Sequence, residues 1–99
     1  MKSDFKDFVM DQLEGLSDIK AKAMFGGYGL YQGENFFGII DGEKLYFKIN
    51  ETNRFEYGER DMAPFTTSDG KILKNYYQVP EEVVENKDEL KIWAWKSLA

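Results

Sequence analysis

Apolar side chains recur at helical spacing near both ends of the chain, which predicts an amphipathic helix at each end. The first set comprises Phe5, Phe8, Val9, Leu13 and Leu16. The second set is the stripe formed by Leu90, Trp93, Ala94 and Leu98, which the small polar side chain of Ser97 shares. Gly15 predicts the end of the first helix, and Asn86 followed by Glu89 forms a capping-box pattern before the last one. We expect both helices to place these apolar stripes against a core.

Between the helices, short runs of aromatic and branched residues predict strands. The runs cover residues 24–31, 35–40, 44–49, 64–67 and 72–79. Asp41-Gly42 and Asp69-Gly70 separate neighbouring runs and favour tight hairpin turns, because these residues tolerate φ > 0. Residues 52–57 predict a short helix, with Gly58 as its stop. The order α-βββ-α-ββ-α predicts an α+β fold, with an antiparallel sheet of about five strands and flanking helices in one domain over residues 1–99.

The third run alternates between apolar and polar positions, which predicts a strand with one buried face and one exposed face. The apolar positions are Leu45, Phe47 and Ile49. The polar positions are Lys44, Tyr46 and Lys48. An exposed face of this kind could contact phosphate through lysine and a base through tyrosine, and Lys20 and Lys22 could extend it. It could equally be a solvated strand face on which lysine discourages pairing with other chains.

Glycine is concentrated in Gly26-Gly27-Tyr28-Gly29. A phosphate-binding loop would need these glycines between a strand and a helix, so that helix N–H groups face the phosphate. Here another predicted strand follows, so we interpret the segment as a strand at which another part of the backbone packs closely.

The net charge is −5, whereas proteins that bind nucleic acid through phosphate contacts usually carry a basic surplus. Direct binding of nucleic acid is therefore an alternative rather than the leading hypothesis. The first seven residues include acids and the apolar runs are short, so we expect neither a secretory signal nor a membrane span, and we expect a cytoplasmic protein.

Histidine and cysteine are both absent, which removes the commonest metal ligand and the usual nucleophile–base pairs. No serine lies in a Gly-x-Ser-x-Gly turn. We therefore predict no catalytic residues, no metal and no cofactor. A small-ligand site or minor enzymatic pocket among Phe25, Tyr28 and Tyr76 is a second alternative.

The last predicted helix carries apolar side chains beyond its main stripe. Ile92 and Trp95 lie on its other side, where a helix with a single buried face is usually polar. Either Trp95 covers an edge of the sheet, or the pair forms an interface with a protein partner, which could be a second copy of the chain.

Several motifs resemble the TfoX N-terminal domain family in sequence and in order. The opening motif is Met24-Phe25-Gly26-Gly27-Tyr28-Gly29-Leu30-Tyr31, and later motifs include Phe36-Phe37-Gly38, Pro64-Phe65, Tyr76-Tyr77-Gln78-Val79-Pro80 and Trp93-Ala94. The resemblance spans residues 19–98.

This resemblance implies a bacterial cytoplasmic protein with an α+β fold, related to regulators of natural competence. In those regulators a separate helical C-terminal domain follows; this chain ends at Ala99, so we expect a stand-alone domain. The family supplies no catalytic residues, and its signature looks structural. The signature positions are Met24, Phe25, Gly26, Gly27, Gly29 and Pro80. We therefore predict a regulatory or adaptor domain that binds a protein partner.

Overall fold

The structure is a computed structural model that describes residues 2–24 and 26–98. Its elements are, in chain order, α1 (Lys2–Gln12), β1 (Ile19–Met24), β2 (Gly27–Gln32), β3 (Asn35–Asp41), β4 (Lys44–Lys48), α2 (Arg54–Glu59), β5 (Pro64–Thr66), β6 (Ile72–Gln78), α3 (Glu81–Val84) and α4 (Lys87–Leu98). This confirms the predicted α+β fold.

All the strands pair antiparallel in one sheet, in the order β1-β2-β3-β4-β6-β5. Within the described residues the sheet has six strands rather than about five, because β1 forms ahead of the predicted run 24–31, which overlaps it only at Met24. Gly26, with φ +77°, lies in the turn that connects β1 to β2. The sequence pattern did not predict β1, because lysine and alanine alternate along it and both are weak strand formers.

The second half of the chain follows the predicted order with shifted boundaries. The predicted stop at Gly58 is wrong, because α2 includes it and ends at Glu59. Asn53 precedes α2; its Oδ1 accepts a hydrogen bond from the Asn50 backbone N–H at 2.7 Å, and its Nδ2 donates to the Lys48 carbonyl at 3.1 Å. At the start of α4 the Glu89 N–H donates to Asn86 Oδ1 at 3.0 Å, as the capping pattern predicts.

The main core lies between one side of the sheet and the helices α1 and α4. Leu45, Phe47 and Ile49 are buried there, as predicted, together with Val9 and Leu13 from α1. The buried residues from α4 are Leu90, Trp93 and Ala94. Phe8 is 40% exposed, so its predicted core position is wrong. Val9 and Leu13 are instead the α1 side chains that are fully buried in the core, and the neighbouring Phe8 is left near the surface.

The other side of the sheet has its own apolar cluster, centred on Ile39, Tyr46 and Phe65. Tyr46 is only 8% exposed, and its ring meets the edge of Phe65 at a centroid distance of 5.0 Å. The predicted exposed face on β4 is therefore wrong at Tyr46, because β6 and β5 extend the sheet beyond β4 and bring Phe65 over it.

Candidate interaction surfaces

Two of the three glycines of the family signature lie where the backbone or a side chain packs closely, whereas Gly26 has open space around it and adopts φ +77° in the β1–β2 turn. A Cβ on Gly27 would overlap the carbonyl oxygen of Ile40, and one on Gly29 would overlap the sulfur of Met24. These contacts agree with the interpretation of close packing rather than phosphate binding. Phe25 lies outside the described residues, so its predicted roles stay predictions.

Pro80 is buried at the junction between β6 and α3. Its carbonyl accepts hydrogen bonds from the N–H groups of Val83 and Val84, at 3.0 and 3.1 Å. Since proline has no N–H and φ is −57° here, the residue can end the strand and start the helix without losing a backbone hydrogen bond.

The proposed ligand pocket among Phe25, Tyr28 and Tyr76 does not form around its two described members. Tyr28 packs against the main core, whereas Tyr76 packs against the cluster on the opposite side of the sheet. Tyr76 Oη donates a hydrogen bond to the Phe36 carbonyl at 3.0 Å. Burial, together with the nearby Tyr31, raises the pKa of Tyr76, so its hydroxyl stays protonated at neutral pH.

On the side of the sheet that carries Lys44, Tyr46 and Lys48, aromatic rings pack against one another and cover part of the surface. Phe36 lies 5.1 Å from Tyr31 and 4.9 Å from Tyr76, measured between ring centroids, and the Lys22 ammonium lies 4.9 Å from the Tyr31 centroid. Tyr46 is buried, and burial raises its pKa. A base that approached Lys44 and Lys48 would therefore not find the Tyr46 ring available for stacking.

Ile92 and Trp95 lie on the solvent side of α4, with exposed fractions of 51% and 69%. The Trp95 ring is therefore not buried against the sheet, although it lines one cleft with Gln32 at the end of β2. The two side chains are separated by almost one helical turn, so they share one side of α4. We call them the Ile92/Trp95 surface.

A shallow cleft of about 520 Å³ adjoins Trp95. It lies between the end of α4, the segment that connects α1 to β1, and the end of β2. Its lining residues are Gly15, Leu16, Ser17, Gln32, Trp95 and Leu98. The Ile92/Trp95 surface thus continues into a concave, partly apolar region.

The end of α4 that carries this surface is fixed by polar contacts to the rest of the domain. Lys96 Nζ lies 3.1 Å from Glu56 Oε1 on α2, and the Lys96 carbonyl accepts a hydrogen bond from Asn50 Nδ2 at 2.9 Å. Asn53 Nδ2 donates to Ser97 Oγ at 3.3 Å inside the domain. These contacts fix the end of α4 relative to α2 and to the segment before α2, so the position of Trp95 on the surface is fixed as well.

A larger groove of about 1200 Å³ lies at the end of the sheet where β3 turns into β4. Its walls come from the first half of α1, the β3–β4 turn, β5 and α3. The apolar lining includes Phe5, Phe8, Leu45, Val79 and Val84. The acidic lining comprises Asp4, Asp41, Glu43, Glu81 and Glu85. We call it the sheet-end groove.

Sequence patterns did not reveal this groove, since its walls come from parts of the chain far apart in sequence. The nearest signal is the width of the apolar stripe on α1, which includes Phe8 beside Val9. Because the apolar stripe on α1 is wider than the area that packs against the core, the large side chain of Phe8 is left able to contact another molecule.

No helix within residues 2–24 and 26–98 combines the length and apolarity needed to cross a membrane. Over the same residues, no three acidic side chains converge as a metal site would require.

A family model described as the TfoX N-terminal domain matches residues 11–99. No curated protein matches the chain. The family match covers nearly the whole chain and includes the motifs around Met24 and Pro80 that suggested the resemblance. The chain therefore belongs to the TfoX N-terminal domain family.

Proposed function

We propose that this domain is a non-enzymatic regulatory adaptor that binds a protein partner through the Ile92/Trp95 surface. The observation that carries the proposal is the exposure of Ile92 and Trp95, at 51% and 69%, on one side of a helix that is otherwise packed against the core. Membership of a family related to competence regulators supports a regulatory role, with transcription as the process that we favour.

Binding at this surface would remove two large apolar side chains from water. Tryptophan is enriched among residues that dominate binding energy, and truncating such an anchor commonly costs about 2 kcal/mol or more. Because Lys96 and Ser97 already fix the end of α4, little additional ordering would oppose the association.

Cross-linking from a single position tests the proposal in the organism that makes the protein. Trp95 is replaced by the photoreactive residue p-benzoylphenylalanine, and a matched control carries the same replacement at Phe55, which is 72% exposed on α2. We expect irradiation to give a discrete cross-linked species from position 95 that is absent from position 55. Mass spectrometry of that species then identifies the partner, or shows a second copy of the chain.

The identified partner is next purified and titrated against the wild type and Trp95→Ala. We expect the substitution to weaken association about 30-fold, which corresponds to about 2 kcal/mol, with little change in thermal stability because Trp95 is exposed. Equal cross-linking from both positions, or a folded Trp95→Ala variant that binds the partner as tightly as the wild type, would contradict the proposal.

A further inference from the structure

The sheet-end groove combines an apolar floor with an acidic rim, and it does not include the Ile92/Trp95 surface. Phe8 supplies exposed apolar surface, with an exposed fraction of 40%, whereas Leu45 and Val84 line the groove but are almost fully buried, at 1% and 5%. Phe8 meets Phe5 within α1 at a ring-centroid distance of 6.5 Å, and the exposed part of its side chain borders the groove.

Among the described residues that line the groove, five carry carboxylates and one, Lys44, carries a positive charge. Asp41 ends β3 and Glu43 lies in the β3–β4 turn, and Glu81 and Glu85 lie at either end of α3. All four are exposed, so they face solvent around the apolar floor. Low-dielectric walls concentrate the field of such charges, which favours a positively charged ligand.

We infer that the sheet-end groove binds a cationic amphipathic segment of a protein partner, with an apolar anchor against Phe8 and with lysine or arginine beside the rim carboxylates. The volume of about 1200 Å³ exceeds the ~300–1,000 Å³ typical of small-molecule pockets, so it suits a peptide better than a metabolite. An amphipathic helix laid in an apolar groove is a common mode of peptide recognition.

The net charge of the chain also argues against a second copy of the chain as the ligand of the sheet-end groove. Each copy carries a net charge of −5, and an acidic groove would oppose the approach of another acidic chain. The groove and the Ile92/Trp95 surface share no residues, so either proposal can be wrong without affecting the other.

Two synthetic peptides provide the direct probe. The first is an amphipathic helical 15-residue peptide with leucine along one face and lysine beside it, and the second has the same leucines with glutamate in place of every lysine. Fluorescence anisotropy with the intact wild-type protein at low salt should show at least about tenfold tighter binding of the cationic peptide. Raising the salt to about 0.5 M should remove most of that difference.

Variants with equal changes in net charge separate a local site from the overall field of the acidic domain. The double variant Asp41→Asn/Glu43→Gln neutralises the rim, and asparagine before Gly42 still favours the hairpin turn. The control Glu34→Gln/Glu51→Gln neutralises two exposed carboxylates near the opposite end of the sheet. We expect about fivefold or greater loss of affinity for the cationic peptide in the first variant and less than about twofold in the control.

Amide chemical-shift mapping with the cationic peptide completes the test. Shifts should cluster at Phe8, Leu45 and Val84, and Trp95→Ala should bind the peptide as tightly as the wild type. Equal binding of both peptides, equal losses in the two double variants, or shifts centred on Trp95 would each overturn the inference.

Discussion

Tyr57 is among the largest fully buried side chains described, and its ring contacts Trp93 edge-on at a centroid distance of 4.8 Å. Its hydroxyl oxygen is buried without a hydrogen-bond partner among the described residues. Ser97 lies near enough to favour the ionised form slightly, but burial is the larger effect and raises the pKa of Tyr57 far above its ordinary value. Among the described residues the hydroxyl therefore lacks a hydrogen bond of normal geometry, although Ser97 interacts with it closely enough to lower its pKa against the effect of burial.

We expect Tyr57→Phe to leave the free energy of unfolding unchanged or to raise it by up to about 1 kcal/mol, because the desolvated hydroxyl is lost while the ring stays packed. Urea unfolding of both proteins measures the difference. Tyr57→Ala provides the comparison and should cost about 3–5 kcal/mol through the cavity it leaves. A loss of more than about 1 kcal/mol in Tyr57→Phe would show that the hydroxyl has a partner, with Ser97 the first candidate.

At the scale of elements, two glycines differ in what surrounds them. Gly27 begins β2, and a Cβ there would overlap the Ile40 carbonyl oxygen on β3. Gly58 lies in α2, and a Cβ there would meet no atom within 4 Å. Since neither has positive φ, the contrast comes from packing alone.

We expect Gly27→Ala to lower the free energy of unfolding by about 2 kcal/mol or more, because β2 and β3 would have to separate locally. Gly58→Ala should raise it by about 0.5–1 kcal/mol, because alanine favours the helix and restricts the unfolded chain. Thermal and urea unfolding of the two variants would check both signs. A neutral Gly27→Ala would contradict the packing interpretation of the signature.

Sequence reasoning was most successful for elements defined by local patterns. The alternation in β4 identified Leu45 and Phe47 as buried, and the pattern on α4 placed Trp93 on the buried stripe and Trp95 on the other side of the helix, without deciding whether Trp95 covers the sheet edge. It failed at Tyr46, whose burial depends on Phe65 from a strand that joins the sheet only through β6. It also missed the sheet-end groove, which exists only after α1, α3 and the β3–β4 turn have come together.

At the scale of the whole molecule, the net charge of −5 opposes duplex DNA, and Tyr46 is buried beneath Phe65. We expect no gel shift of duplex DNA at sub-micromolar protein and physiological salt. A shift that weakens steeply with added salt and disappears in Lys44→Ala/Lys48→Ala would instead support the nucleic-acid alternative. A shift that persists in this variant would place the contact elsewhere on the domain.

The order of the strands also has a consequence for the folding pathway. From β1 to β4 every strand pairs with its neighbour in sequence, so loop closure costs little entropy along residues 19–48. The pairing of β4 with β6 and the docking of α1 beside α4 join residues much further apart. We therefore expect the four-stranded meander to form early, and the two outer helices to dock late. Substitutions in α4 should then accelerate unfolding more than they slow folding.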